Sequence, residues 1–427
     1  MDGLCHLYEN DKSSFWQSWS KMILSKNVDF EKVVYYSVVL FSFIIPLSRG
    51  MSSFFIFWFF ALLIYKREYA VTFQTLKNNP IFTYIAIFLL YMTMTLFWSE
   101  DLKEGLNQLR LYGYWLLVLP AMFVLVKKEW LWNMLNAFLL GMFISEILAY
   151  GMFFDLWSIK GNGASYPTPF MSHIHYSVFL AFTAILLLSR VLSKRLSFYE
   201  KLPYAFFFII STANLMFSTG RAGQFAFFVS LVVLIILKLK ISIKSIFISA
   251  LSVVIIFFIA YGSLDLFKKR ADAGLQDIQH ISNQNYNSSF GIRVAFWLIT
   301  GEVLKDDPML GKGIGDYILS TKEVLSKNYY GFTEETITFM TEQHFHNQYL
   351  MVAVQGGLVG LALMFLLFYN FFRLKMEDRE LNEVSILGFV VIMVSFVAEP
   401  LWMLQFPLTL FLFIASISIV ASKKEKT

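Results

Sequence analysis

Cysteine and charge are both scarce in this chain. Cys5 stands alone among 427 residues. That excludes an intrachain disulfide framework and any metal cluster built on thiolates, so rigidity has to come from helix packing. Charged residues make up 15%, hydrophobic residues 57% and aromatic residues 18%, whereas an average soluble domain carries roughly 25% charged residues. A water-soluble surface cannot be built from that composition. The formal net charge of +5 forms no stripe of nucleic-acid-binding type, and in a membrane protein basic residues mainly report topology. The N-terminus, with Asp2, Glu9, Asp11 and Lys12 on a polar stretch, lacks the basic region and short apolar core of a cleavable signal, so the first apolar run reads as a retained span. There is no internal repeat and no low-complexity tract.

Apolar runs of roughly the 17 to 25 residues needed to cross a bilayer lie near 31–48, 51–65, 80–98, 109–126, 130–154, 174–190, 202–218, 222–238, 241–262, 347–372, 383–398 and 403–421. The expected fold is an all-α polytopic membrane protein with about twelve transmembrane helices. Its expected parts are a cytoplasmic N-terminal segment (1–30), helices one to nine (31–262), a periplasmic segment (263–345), helices ten to twelve (346–421) and a cytoplasmic tail (422–427). Lysine and arginine set the orientation, because basic flanks are retained on the cytoplasmic side. They crowd the loops that alternate with an inner N-terminus, from Lys66, Arg67 and Lys77 to Arg373, Lys375 and Arg379. Short outer segments hold only Arg49, Lys103, Arg110, Lys160 and Arg221. Both termini are therefore expected in the cytoplasm.

Residues 263–345 break this pattern, since a connection so long inside a compact domain is functional or disordered. Apolar spacing at Phe290, Val294, Trp297 and Leu298, and again at Ile314, Tyr317, Ile318 and Leu325, predicts short amphipathic helices. Between them Asp306, Asp307, Pro308, Gly311, Gly313 and Gly315 supply turn chemistry.

Three constellations at the outer ends of spans could carry chemistry. In Ser218-Thr219-Gly220-Arg221-Ala222-Gly223-Gln224 a guanidinium and the N–H groups of a helix start would form an anion cradle. The alternative is an arginine snorkelling from a tight turn. In Gly291-Ile292-Arg293-Val294-Ala295-Phe296-Trp297, Arg293 sits among aromatic residues where a phosphate or lipid head group would bind, unless it pairs with Glu302 or Asp277. In Gln343-His344-Phe345-His346-Asn347-Gln348-Tyr349, two histidines at i, i+2 lack a nearby carboxylate or cysteine at ligand spacing, so no metal is expected. A neutral imidazole suits proton removal from a hydroxyl near neutral pH; a capping or packing histidine is the competing reading. Gly356, Gly357 and Gly360 would admit a neighbouring helix closely. His173 and His175, after Pro167 and Pro169, and Glu399 before Pro400 stand at outer ends as well, and Glu146 lies within the fifth run.

The pattern His346-Asn347, nine residues, Gly357, two residues, Gly360 resembles the signature of the O-antigen ligase family, which shares a hydrophobic domain with O-antigen polymerases and bacterial O-oligosaccharyltransferases. Thr219-Gly220-Arg221-Ala222 and Gly291-Ile292-Arg293 with Trp297 resemble the arginines of that family at an outer turn and at the start of its periplasmic helix. In motif terms the resemblance runs from about residue 200 to 410. It implies a metal-independent, cofactor-free, GT-C-like glycosyltransferase at the periplasmic face of the bacterial inner membrane. The donor would be polysaccharide on undecaprenyl pyrophosphate and the acceptor a sugar hydroxyl of the lipid A core. By position His346 would be the general base, Arg221 and Arg293 would bind the donor pyrophosphate, and His344 would be a further substrate-binding candidate.

Ligase, polymerase and protein O-oligosaccharyltransferase share this chemistry and differ in acceptor, which the motifs do not encode. The modest outer segment and short polar tail lean toward ligase. A lipid-linked oligosaccharide flippase would place charged residues deep in its spans; here Glu146 is the main such residue. A purely structural membrane partner would make no demand for the arginines and histidines.

Overall fold

Long apolar runs broken by short polar turns satisfy their backbone hydrogen bonds within each run, so they become helices. The computed structural model describes residues 29–423 except 284, 289, 328, 329 and 331. The expected N-terminal segment up to residue 28, with Cys5, and residues 424–427 of the tail lie outside the described residues. Among the described residues seventeen α-helices follow in order: α1 Phe30–Ile44, α2 Arg49–Lys66, α3 Tyr69–Lys77, α4 Pro80–Met94, α5 Leu102–Leu125, α6 Leu131–Phe153, α7 His173–Val191, α8 Phe198–Phe217 and α9 Arg221–Leu239. Then come α10 Ile243–Ser263, α11 Asp265–Ser282, α12 Gly291–Asp306, α13 Tyr317–Ser326, α14 Glu334–Glu342, α15 Gln348–Phe372, α16 Arg379–Ser395 and α17 Gln405–Ala421. Among the described residues no strand forms beyond an isolated bridge, Ile159 with Asn162.

A helix stands at each of the twelve expected positions, yet eight are long and apolar enough to cross a membrane by themselves: α2, α4 with its short continuation to Trp98, α5, α6, α7, α9, α10 and α15. The remaining four fall short for visible reasons. With 15 residues in α1 and 17 in α16 and α17, these helices reach only about 23 to 26 Å, against a hydrocarbon core of about 30 Å. Helix α8 is long enough at 20 residues but opens on a polar turn, where Ser197 and Glu200 form a reciprocal capping box.

Burial ranks the helices. Almost every side chain of α17 from Phe406 to Ala421 is buried, as expected of a helix apolar on all sides that sits at the centre of a bundle. It packs against α16, α5 and α7. Helix α10 is the opposite case, mostly exposed and highly apolar. Within the bundle, Glu146 of α6 is buried and accepts a hydrogen bond from Ser211 of α8 at 2.8 Å. It joins two helices, as a packing carboxyl does.

Charge sorts the two ends of the bundle. At one, Arg190 meets Glu380 at 2.7 Å, Arg195 meets Asp378 at 2.7 Å and Lys238 meets Glu383 at 2.9 Å. These pairs draw the ends of α7 and α9 onto the start of α16. At the other end α11 to α14 form an outer layer over the starts of α7, α9 and α15. Three helices were not expected: α3, which joins α2 to α4 at the opposite end of the bundle; α14; and α11, whose amphipathic pattern carries Lys268, Lys269 and Arg270.

Of the glycines after His346, Gly356 and Gly360 face Tyr91 of the neighbouring helix α4 as expected, while Gly357 works differently. Gly357 has φ 62° and breaks α15. The segment that enters the break is the turn Pro308–Gly313, not a helix. Lys312 N–H donates to Val354 O at 2.8 Å, Gly313 N–H to Gln355 O at 3.1 Å and Leu358 N–H to Pro308 O at 2.9 Å. A Cβ on Gly357 would lie 2.2 Å from Met309 O, so only glycine meets both the dihedral and the contact. Tyr91 of α4 closes the other side, its hydroxyl donating to Gly356 O at 2.6 Å.

Candidate functional site

The segment His346-Asn347-Gln348 is built to hold the loop after α16 against itself. Asn347 caps α15, its Oδ1 accepting from Tyr349 N–H at 2.8 Å and Leu350 N–H at 3.1 Å. Its other side-chain atom, Nδ2, donates to Val397 O at 3.1 Å. Gln348 N–H donates to Phe396 O at 2.8 Å, and Gln348 Oε1 accepts from Trp402 N–H at 2.9 Å. Glu399 is thereby fixed beside the histidines, although it is 53 residues from His346 in sequence.

His346 itself has φ 46°, in the left-handed region where non-glycine residues are uncommon and concentrate at turns and functional sites. Its Nδ1 lies 2.9 Å from Glu399 Oε2, and its ring stacks on Phe339 with 5.6 Å between centroids. Its Nε2 is buried with no hydrogen-bond partner among the described residues. An ionised carboxylate accepts only, so in the neutral imidazole Nδ1 carries the proton and Nε2 the lone pair.

His344 faces Glu399 from a second side. Its Nε2 lies 3.5 Å from Glu399 Oε1 and its Nδ1 accepts His346 N–H at 3.3 Å. Burial pushes the His344 imidazole down to about 4, the Glu399 charge working against that shift. His175 Nε2 approaches the same Glu399 oxygen at 4.0 Å. Burial opposes the charge of Glu399, yet the His346 hydrogen bond and the surrounding imidazoles hold its carboxyl below the usual range.

Two adjoining chambers open from this centre. One, of about 400 Å³, is bordered by His346, Phe339, Tyr286, Glu335, His173 and Arg293. The other, of about 350 Å³, is bordered by Arg221, Arg270, Arg293, Trp297, Phe225 and His173. Arg293 and His173 belong to both. The second chamber thus collects three arginines, two of them foreseen. Arg270, on α11, was not, because no motif flags it and only the folding of α11 brings it in. Arg293 NH2 stands within 3.5 Å of Ala398 O, one residue from Glu399. Burial first, and then the Arg221 charge, lower its guanidinium from the ordinary value.

The ion pairs expected for Arg293 go to others. Asp277 Oδ2 takes Arg221 at 3.2 Å and Phe290 N–H at 3.3 Å, while Glu302 takes Lys305 at 2.6 Å. Arg221 is the first residue of α9, and the glycines beside it let α9 lie directly on α7: a Cβ on Gly223 would be 2.0 Å from Ser177 O. Gly223 N–H donates to Ser177 Oγ at 3.1 Å, so that donor of the expected anion cradle points at α7.

The carboxylate absent from the local sequence around the histidines is supplied by the fold. Ligand atoms of His344, His346 and Glu399 all lie within 4.8 Å of one another, close enough to hold a cation. The same atoms make the hydrogen bond between His346 and Glu399.

Residues 206–365 match the family described as O-Antigen ligase. An uncharacterized protein of Haemophilus influenzae is 31% identical over 130 residues, a stretch of 29% of this chain and 31% of that protein. The chain thus aligns with about a third of that relative's length. The matched family segment runs from α8 into α15 and contains Arg221, Arg293, His344 and His346, while Glu399 and His173 lie outside it. Over residues 206–365 this membrane protein is similar to the O-antigen ligase family.

Proposed function

We propose that the protein is an O-antigen ligase, transferring polysaccharide from undecaprenyl pyrophosphate to a sugar hydroxyl of the lipid A core during lipopolysaccharide synthesis. One observation carries this reading: an imidazole with its Nδ1 held by a carboxylate and its Nε2 unengaged borders a chamber that shares Arg293 with a neighbouring chamber containing Arg221.

In this reading the donor pyrophosphate lies against Arg221 and Arg293, whose guanidinium groups match phosphate oxygens in pairs. The acceptor hydroxyl enters the chamber bordered by His346 and attacks the anomeric carbon. As that C–O bond forms, the bond from the anomeric carbon to the pyrophosphate oxygen breaks, and the hydroxyl proton passes to His346 Nε2. Glu399, accepting from Nδ1–H, stabilises the imidazolium. Two arginines offset the charge that grows on the leaving pyrophosphate, and general-base assistance is worth typically about 10²- to 10⁴-fold. No nucleotide is required, since the donor bond already holds the free energy. The reaction proposed is independent of metal and cofactor. The basic loops at the far end of the bundle support a site facing the periplasm, with both termini in the cytoplasm of an inner-membrane protein.

The test is to mix purified protein with lipid-linked polysaccharide and purified lipid A core, without nucleotide or divalent metal, and to look for the joined product. Product on the core, abolished by His346→Ala at normal protein abundance, supports ligase. Product on a second donor glycan or on protein instead identifies polymerase or O-oligosaccharyltransferase activity, which share the mechanism. Movement of the donor across vesicles without any joined product would identify a flippase.

A further inference from the structure

The end of the bundle opposite the histidines has a cavity of its own, of about 400 Å³. Lys66 reaches it from the last turn of α2, Lys127 and Lys128 from the turn between α5 and α6, and Lys423 from the residues after α17. Glu31 is the carboxylate on its wall and pairs with Lys127. Lys66 and Lys128 have carboxylate partners, Glu68 at 3.0 Å and Glu377 at 2.9 Å, but neither partner borders the cavity. Among the described residues, four cations therefore face one anion.

Lys423 is the telling member. Its Nζ donates to Val126 O at 2.5 Å and lies 5.3 Å from the ring of Phe123. Among the described residues no carboxylate is within ion-pair distance of it. Burial, and then the charges of Lys66 and Lys128, bring its ammonium down to about 8, so it remains mostly protonated at neutral pH. A buried charge with like charges around it is expensive unless a counter-charge joins it.

The rest of the wall is apolar and aromatic: Phe30, Val34, Val124, Leu125 and Trp130. Lys127 stands over the Trp130 ring at 5.6 Å, and Phe30 stacks on the exposed Tyr65. Lysine beside tryptophan and tyrosine at the end of spans is the arrangement found at the head-group level of a bilayer. From the cavity, the exposed Tyr36 and Leu40 continue along α1, a path for an acyl chain.

We infer that this cavity binds the phosphate of an anionic phospholipid, with Lys423 and Lys66 as its main contacts and the lipid tails lying along α1. A free phosphate offers the same chemistry without the tails. Basic pockets between spans at the cytoplasmic level hold such head groups, at about 1 kcal/mol per lysine near the surface.

The test uses the full-length protein in detergent doped with phosphatidylglycerol or phosphatidylcholine, with retained lipid read by native mass spectrometry. Wild type is expected to keep phosphatidylglycerol in preference to phosphatidylcholine. Lys66→Gln/Lys423→Gln is expected to hold it roughly 30-fold more weakly, while Lys305→Gln at the other end changes nothing. Should the double variant fail to elute as a single species, Lys423→Gln alone is read against Lys423→Arg, which keeps the charge and the lipid. Equal retention of the two lipids by wild type, or undiminished phosphatidylglycerol on the charge-removed variants, overturns the inference. Displacement of phosphatidylglycerol by millimolar inorganic phosphate, with equal thermal stabilisation by phosphate alone, overturns the lipid assignment in favour of a free anion.

Discussion

His346 Nδ1 and Glu399 Oε2 stand 2.9 Å apart, held by the hydrogen bonds that Asn347 and Gln348 send to the loop 396–402. If Glu399 orients the base and stabilises its protonated form, removing its charge must slow the chemical step more than it weakens substrate binding. Glu399→Gln is expected to lower kcat by about 10²-fold with KM for the donor little changed. Steady-state kinetics of transfer check this; a change confined to KM would make Glu399 a substrate contact.

In the proposed reaction the arginines bear on the leaving group. Loss of one preorganised donor to a developing charge slows catalysis by about 10²- to 10³-fold, and a lysine cannot reproduce the two-pronged geometry. Arg221→Lys and Arg293→Lys are both expected to lose activity on this scale. Arg270→Ala, which removes the third arginine of that chamber, should raise KM for the lipid-linked donor.

Acid should loosen the site in two stages. A histidine whose folded value is lowered to about 4 resists protonation that the unfolded chain accepts below 6.5. Stability contributed by neutral His344 is therefore complete above 6.5 and declines as pH falls from 6.5 towards 4. Glu399, held below the ordinary carboxylate value, adds stability above that value and loses it only as pH falls through its lowered one. His173 and His175 also stand at this site and contribute to the same decline, so His344→Gln is expected to reduce the first decline in part and leave the second, measured by thermal unfolding in detergent across that range.

Substitution at the break in α15 is a matter of fit. Gly357→Ala forces a Cβ against Met309 O in a backbone conformation that alanine avoids, at a penalty of about 1 to 3 kcal/mol or more. A lower unfolding temperature is expected, with Gly360→Ala, where the nearest atom is 3.3 Å away, clearly milder.

A chelator separates the two uses of the His344, His346 and Glu399 atoms. Ethylenediaminetetraacetate is expected to leave transfer unchanged; loss of activity restored by one added divalent ion would assign the trio to that ion.

Much of this architecture is legible because a bilayer imposes its own length scale on the sequence: every long apolar run became a helix. The shortfall from twelve to eight self-sufficient spans arises where runs such as 383–398 and 403–421 spend residues on caps and turns at their ends. Helix α11 was missed because its polar face, with Lys268, Lys269 and Arg270, masks the apolar one when composition alone is read. Arg221, Arg293 and His346 stood out because each sits in a short, recognisable string at the end of a span. Glu399 had no such string; its meaning depends on a contact across 53 residues, and no local spacing encodes that. The same holds for the turn at Pro308–Gly313, whose glycines signalled a bend but not its destination.

That bend has a mechanical corollary. Bolted into α15 by four backbone hydrogen bonds, the outer layer has a fixed shoulder on the side of Tyr91 and Gly357. Among the described residues, the part of that layer carrying Arg270 and Arg293 on α11 and α12 has no backbone hydrogen bond to α15, so its position rests on side-chain packing alone.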